Sequence, residues 1–214
     1  MPKPPPNPTS EITLDPPGRM RYAARLISNI LSPPIVGGAL VVGLSLHALD
    51  GPREALKWIS IALLVTGLPP LLYIRYLVRT GYLVDIHMPD RDRRIKPLIA
   101  TITWFFCALL LLYAWHAPQV IILLLAATIF QMALLVAITL LWKISFHSAA
   151  IASAATVAVL LESPSAWAVI SLVPLVAWAR VRLNRHTPWQ VILGCLAGIL
   201  VSSVAFLFVA PYLF

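Results

Sequence analysis

From Pro97 to Trp142 the chain runs for 46 residues without an Asp, Glu, Lys or Arg. A helix that crosses the hydrocarbon core of a bilayer needs about 20 predominantly apolar residues, so this stretch has room for two spans. A second uncharged run, His186 to Phe214, covers 29 residues and has room for one more. Over all 214 positions 60% of residues are hydrophobic and 11% charged, with a mean hydropathy of +0.87. That is the composition of an integral membrane protein. It excludes a disordered regulator, a disulfide-stapled secreted domain and a conventional DNA-binding domain. The expected fold class is all-α, a polytopic transmembrane bundle of about six to seven helices.

The first 18 residues carry seven prolines and no apolar run, so residues 1–22 read as a flexible Pro-rich tail and residues 23–214 as one transmembrane domain. The tail lacks the apolar core and cleavage site of a signal peptide, so the first membrane segment is expected to be retained. Ala23 to Leu49, interrupted by Pro33-Pro34, reads as one kinked span or as a short helix leading into one. Further spans are expected at Trp58 to Tyr76, Pro97 to Trp115 and Gln119 to Leu141, the last two joined by a tight His116-Ala117-Pro118 turn. Ser148 to Leu161 and Ala166 to Ala179 are shorter, and the final span starts at Pro188. The count is about seven. Six of the tryptophans, Trp58, Trp104, Trp115, Trp142, Trp167 and Trp189, fall mostly near span ends, where interfacial anchors belong. Cys107 and Cys195 sit inside apolar runs and read as packing residues, not as a disulfide or metal pair.

Pairing the spans returns three polar segments and the tail to one side. That side collects 14 of the 16 basic residues: Lys3, Arg19, Arg21, Arg25, Arg75, Arg79, Arg91, Arg93, Arg94, Lys96, Lys143, Arg180, Arg182 and Arg185. Arg53 and Lys57 lie opposite. The positive-inside rule makes the basic side cytoplasmic, in a multi-pass protein of a bacterial or archaeal inner or plasma membrane. The net charge of +8 is then a basic face and not a nucleic-acid surface.

Three clusters on that face carry chemistry. In Ala179 to Gln190, three arginines and His186 stand between two spans, which requires water or an anion beside them. Either this is an ordinary positively charged loop or it receives a phosphate. Thr187 reads as an N-cap with Pro188 at the first helical position, so a helix N-terminus, which favours anions, follows His186. Gln190 can complete a Thr-x-x-Gln capping box, orient the imidazole of His186 one turn back, or do both. The second cluster, Trp142 to Ser148, places Lys143 and His147 at another helix start. The first cluster along the chain, Asp85 to Pro97, is a self-paired loop, a phosphate clamp, or an Mg²⁺ site built from its Asp residues, and Ala179 to Gln190 is the third.

These residues resemble the type 2 phosphatidic acid phosphatase (PAP2) superfamily of membrane lipid phosphatases. Its pattern is Lys-x6-Arg-Pro, Pro-Ser-Gly-His, then Ser-Arg-x5-His-x3-Asp. The third motif aligns as Ala179-Arg180, five residues, His186, three residues, Gln190, and the second as Ile144-Ser145-Phe146-His147. Of the first motif only the basic run ending at Lys96-Pro97 is comparable. The resemblance covers residues 85–200 and implies a metal-independent, cofactor-free enzyme. By it, His186 is the nucleophile and His147 the acid for the leaving alcohol. Gln190 stands in the place of the Asp that supports the nucleophile, while Arg180, Lys143, Ser145 and some of Arg91, Arg93, Arg94 and Lys96 hold phosphate oxygens. Phosphoryl transfer is mostly positioning and charge neutralisation, and a phospho-histidine divides one hard step into two.

The sequence departs from the pattern at Gln190 (for Asp), Phe146 (for Gly) and Ile144 (for Pro). It is therefore a divergent phosphatase with altered chemistry or a relative that binds lipid phosphates without turnover. The implied substrate is a polyprenyl phosphate or diphosphate, or a phosphatidate, embedded among membrane lipids. Two alternatives remain. One is an Mg²⁺-dependent transferase using a polyprenyl diphosphate held through Asp85, Asp90 and Asp92. The other is a non-catalytic lipid-phosphate binding or transport protein. Gly194 and Gly198, spaced at four residues on the last helix, serve either internal packing or a homodimer contact.

Overall fold

The computed structural model describes residues 18–83 and 91–209, with only the backbone of residues 91–94. Among the described residues the chain forms eight α-helices: α1 Arg19–Ile30, α2 Pro33–Ala48, α3 Pro52–Arg79, α4 Arg91–Ala114, α5 Gln119–Leu141, α6 Phe146–Leu160, α7 Ala166–Arg182 and α8 Pro188–Ser203. A π-helical segment, Val204–Val209, continues α8. The all-α expectation holds. The helix number exceeds the expected six to seven because the first apolar segment is two helices, bent by 47° at residues 31–32. The Pro33-Pro34 pair sits at the start of α2, where a missing N–H costs nothing, and cannot extend α1. Helix α1 already begins at Arg19, so the tail boundary drawn at residue 22 falls one turn inside it.

By length and composition α3, α4 with its apolar part Ile95–Ala114, α5 and Pro188–Val209 can each cross a membrane, and the bent α1–α2 pair makes a fifth candidate. Helices α6 and α7 have 15 and 17 residues, a rise of about 22–26 Å, less than the hydrocarbon core. Against the expected count of about seven, four described helices, or five with the bent pair, have the length and composition of a span.

Helix α6 is central. Its sequence is rich in Ala and Ser, and Ala149, Ile151, Ala152, Ser153, Ala154, Ala155 and Val157 are buried. Small side chains let neighbouring backbones come close, the membrane substitute for hydrophobic driving force. The most extensive helix contact in the fold is α6 with α8, followed by α6 with α7. Gly194 and Gly198 make it possible: a Cβ at 194 would lie 2.6 Å from the Ser145 carbonyl oxygen, and one at 198 would collide with the Ala149 carbonyl. Both glycines are buried in this seam, where α8 packs on α6. Ser153 Oγ, 2.7 Å from Gln131 Oε1 and 3.2 Å from the Gly198 carbonyl oxygen, ties α5, α6 and α8 together.

Away from the basic clusters a larger apolar core joins α2, α3, α4, α5 and α6 through Leu44, Trp58, Leu112, Leu124 and Val157. Trp58 is 5% exposed, and its indole N–H donates to Glu54 Oε1 at 2.7 Å, so it is a core residue and not a lipid-facing anchor. Trp115, Trp167 and Trp189 are exposed, as anchors are. Cys107 is an exposed free thiol and Cys195 a half-buried one, so only Cys195 fits a packing role in part.

Candidate functional site

The α4–α5 hairpin turns at His116, whose φ of 55° accommodates the short connection. It brings the start of α4 to the same end of the bundle as the end of α5 and the start of α6. Helix α7 returns the chain to that end, where Asn184, with φ 55°, reverses it into α8. Topology thus assembles at one end the second and third clusters and the described start of α4, and leaves Arg53 and Lys57 at the other.

The turn from α7 into α8 holds His186. The carbonyl of Arg180 accepts from the backbone N–H groups of Arg185 at 3.1 Å and His186 at 3.4 Å, closing the end of α7 and drawing His186 inward. His186 is 9% exposed and Arg180 6%. Helix α8 opens with a complete capping box. Thr187 Oγ1 accepts from the Gln190 N–H at 3.4 Å, and Gln190 Oε1 accepts from the Thr187 N–H at 3.1 Å. The same Oε1 lies 3.2 Å from His186 Nδ1. Capping and orienting are therefore done together by one atom.

That double contact fixes the chemistry of the ring. A backbone N–H can only donate, so the Gln190 atom facing it is the carbonyl oxygen, which in turn can only accept from His186. Nδ1 then carries the proton, and in the neutral ring Nε2 carries the lone pair.

The second cluster is stitched to the third through the backbone, as the N–H of Ser145 donates to the Gln190 carbonyl at 3.2 Å. Ser145 is the N-cap of α6; its Oγ accepts from the Ser148 N–H at 3.3 Å and from the Ser148 hydroxyl at 2.9 Å. Ser145 and Ser148 are buried, His147 is 9% exposed and Lys143 half-buried. Ile144, 1% exposed, belongs to an apolar cluster with Leu135, Ala149 and Ala197, against which Phe146 packs.

The first cluster is only partly placed. Asp85 and Asp90 lie outside the described residues, as do the side chains of Arg91, Asp92, Arg93 and Arg94. Lys96 is exposed and its Nζ lies 5.3 Å over the ring of Tyr82, a cation–π contact between the end of α3 and the start of α4. That contact does not join it to either histidine.

One partner went unread in the sequence. Arg180 Nη1 donates to Ser28 Oγ of α1 at 2.8 Å, a buried bond across 152 residues. The available signal was the spacing Arg21, Arg25, Ser28, which sets all three on one face of α1. On the far side of α7, an apolar groove of about 370 Å³ is lined by Trp178, Val181, Pro188, Val191 and Ile192.

Fold and site define a polytopic membrane protein with a buried arginine in the last turn of α7 and a buried histidine just before α8, on its basic end. Residues 142–212 match the sequence model of the PAP2 superfamily. The match spans the second and third clusters and excludes the first. No curated protein and no solved structure matches the chain.

Proposed function

We propose that this protein is a metal-independent membrane lipid phosphatase that works through a phospho-histidine on His186. The observation that carries the reading is the Gln190 amide oxygen, shared between the Thr187 N–H and His186 Nδ1, which leaves Nε2 as the nucleophilic nitrogen. In this reading Nε2 attacks phosphorus while Arg180, Lys143 and the start of α6 neutralise the phosphate oxygens. His147, the second residue of α6, protonates the leaving alcohol. Water then hydrolyses the N–P bond and restores the imidazole. Some of Arg91, Arg93, Arg94 and Lys96 add positive charge at the same end. The lipid tail of a polyprenyl phosphate, polyprenyl diphosphate or phosphatidate lies along the apolar groove between α7 and α8. The basic end faces the cytoplasm.

The test is phosphate release from lipid phosphates in detergent. Wild type turns over in the presence of a chelator and His186→Ala does not; full activity of His186→Ala removes the mechanism. Strict Mg²⁺ dependence with indifference to both histidines points to the transferase alternative. Labelling of single introduced cysteines in intact cells tests sidedness, and modification of the basic end from outside overturns it.

A further inference from the structure

Between α1 and the α7–α8 junction lies a pocket of about 550 Å³ whose lining includes Arg21, Arg25, Ser28, Arg180 and Arg185. Four of the described lining residues are arginines and none is acidic. Guanidinium groups gathered around one volume repel one another, and beside a low-dielectric bundle that repulsion is poorly screened. Their planar forks suit phosphate oxygens, each pairing through two parallel hydrogen bonds. The pocket is contiguous with the site described above, because Arg180 lines it while its Nη1 bonds Ser28.

Helix α1 is built for this position. Ala24 and Ser28 are buried, Arg21 and Arg25 stand with Ser28 on one face, and Met20, Tyr22, Leu26 and Ile30 are exposed. A short helix with arginines on one side and large apolar residues on the other suits the membrane interface, at the depth of lipid headgroups. The helix lies outside the segment that matches the superfamily model.

We infer that this pocket is a second-phosphate subsite: Arg21, Arg25 and Arg185 hold the inner phosphate of a lipid diphosphate whose terminal phosphate sits at Arg180 and His186. The inference rests on the phosphatase reading and narrows its substrate to diphosphates. His186 Nε2 bonds to the terminal phosphorus, and the bond from that phosphorus to the bridging oxygen breaks with its electron pair staying on the oxygen. The lipid leaves as a monophosphate whose new negative charge the three guanidinium groups neutralise. Water then adds to the phosphorus, the N–P bond breaks, and inorganic phosphate departs.

The experiment measures binding of methylenediphosphonate, whose P–C–P bridge resists hydrolysis, and of inorganic phosphate to the full chain in neutral detergent micelles. Wild type binds the diphosphonate at least about tenfold more tightly than phosphate, and Arg21→Ala/Arg25→Ala loses that preference. Arg19→Ala/Arg182→Ala removes the same charge from the same end without touching the pocket lining, and keeps it. Should the first pair not fold, Arg21→Gln and Arg25→Gln singly each lose severalfold in diphosphonate affinity. Equal affinity of wild type for both anions overturns the proposal, as does an equal loss in the Arg19/Arg182 pair. Displacement of the diphosphonate by phosphatidylglycerol added to the micelles also overturns it, because the pocket then takes a membrane headgroup. Failure of the phosphatase reading looks different: no lipid phosphate is hydrolysed while the diphosphonate preference and its loss in Arg21→Ala/Arg25→Ala persist.

Discussion

Gly194→Ala puts the coupling between the two histidine-bearing helix starts under direct test. The added methyl would stand 2.6 Å from the Ser145 carbonyl oxygen and 3.3 Å from Ser148 Cβ. Ordinary contact begins near 3.4 Å, so about 0.8 Å must be found, and because the obstacle is backbone it is found by moving the start of α6 off α8. That start carries His147 and the Ser145 N–H bonded to the Gln190 carbonyl. Overpacking of this kind costs about 1–3 kcal/mol, which lowers the melting temperature by several degrees in a chain of this length. A displacement near 1 Å between reacting groups costs on the order of 10²-fold in rate. The assay is phosphate release from a lipid phosphate in detergent beside a thermal melt of the same sample. Gly67→Ala is the control: a Cβ at Gly67 meets nothing within 4 Å, so helix propensity makes the change neutral or stabilising by up to about 1 kcal/mol. Wild-type turnover in Gly194→Ala would refute the claim that the α6–α8 seam sets the two clusters in register, whatever the melt shows.

Gln190→Glu keeps an acceptor at both the Thr187 N–H and His186 Nδ1 and adds a negative charge, which favours the imidazolium form. The acid limb of the kcat/KM profile therefore moves to higher pH by about one unit or more, and an unmoved limb counts against the contact. Gln190→Leu removes both bonds, and turnover falls at every pH. Ser28→Ala frees the buried Arg180 guanidinium from a bond worth about 1.5–3 kcal/mol; kcat/KM falls about tenfold or more and Ser28→Thr restores it. If Ser28→Thr is as poor as alanine, packing and not the hydroxyl explains the loss. Ser153→Ala removes the link to Gln131 and the Gly198 carbonyl; the melting temperature drops by a few degrees, as expected for about 1 kcal/mol, with turnover unchanged.

The uncharged runs made membrane helices and their ends legible, because the cost of a buried charge is a local property of sequence. The His116 turn and the starts of α5, α7 and α8 fall where the residues put them. The capping box was legible for the same reason, since Thr187 and Gln190 are three residues apart. Helix continuity was not. Pro97 lies inside α4, and α3 and α4 begin at Pro52 and Arg91, ahead of the spans expected to start at Trp58 and Pro97. The number of crossings was not legible, because apolar composition alone does not separate a helix of spanning length from a shorter one packed among its neighbours, as α6 is. Least legible were the contacts between distant segments. Nothing local in Arg180 announces Ser28, and nothing in Gly198 announces the Ala149 carbonyl, because each depends on which helices become neighbours.

The three departures from the superfamily pattern acquire a common physical sense from those contacts. Ile144, where the pattern has Pro, fills a fully buried place between Leu135, Ala149 and Ala197, and Phe146, where it has Gly, packs onto that cluster. Together they wedge α5 against the starts of α6 and α8. A Gly at 146 would empty part of the wedge and loosen the first turn of α6, the turn that carries His147. Gln190, where the pattern has Asp, holds the ring of His186 and caps α8 with one neutral oxygen, so it orients the nucleophile without supplying charge. In the proposed mechanism the charge that develops on the imidazole must then be met by the phosphate itself. This makes the placement of that phosphate by Arg180, and of Arg180 by Ser28, more demanding than in a site with its own carboxylate. The α1 helix, absent from the matched segment, supplies that placement.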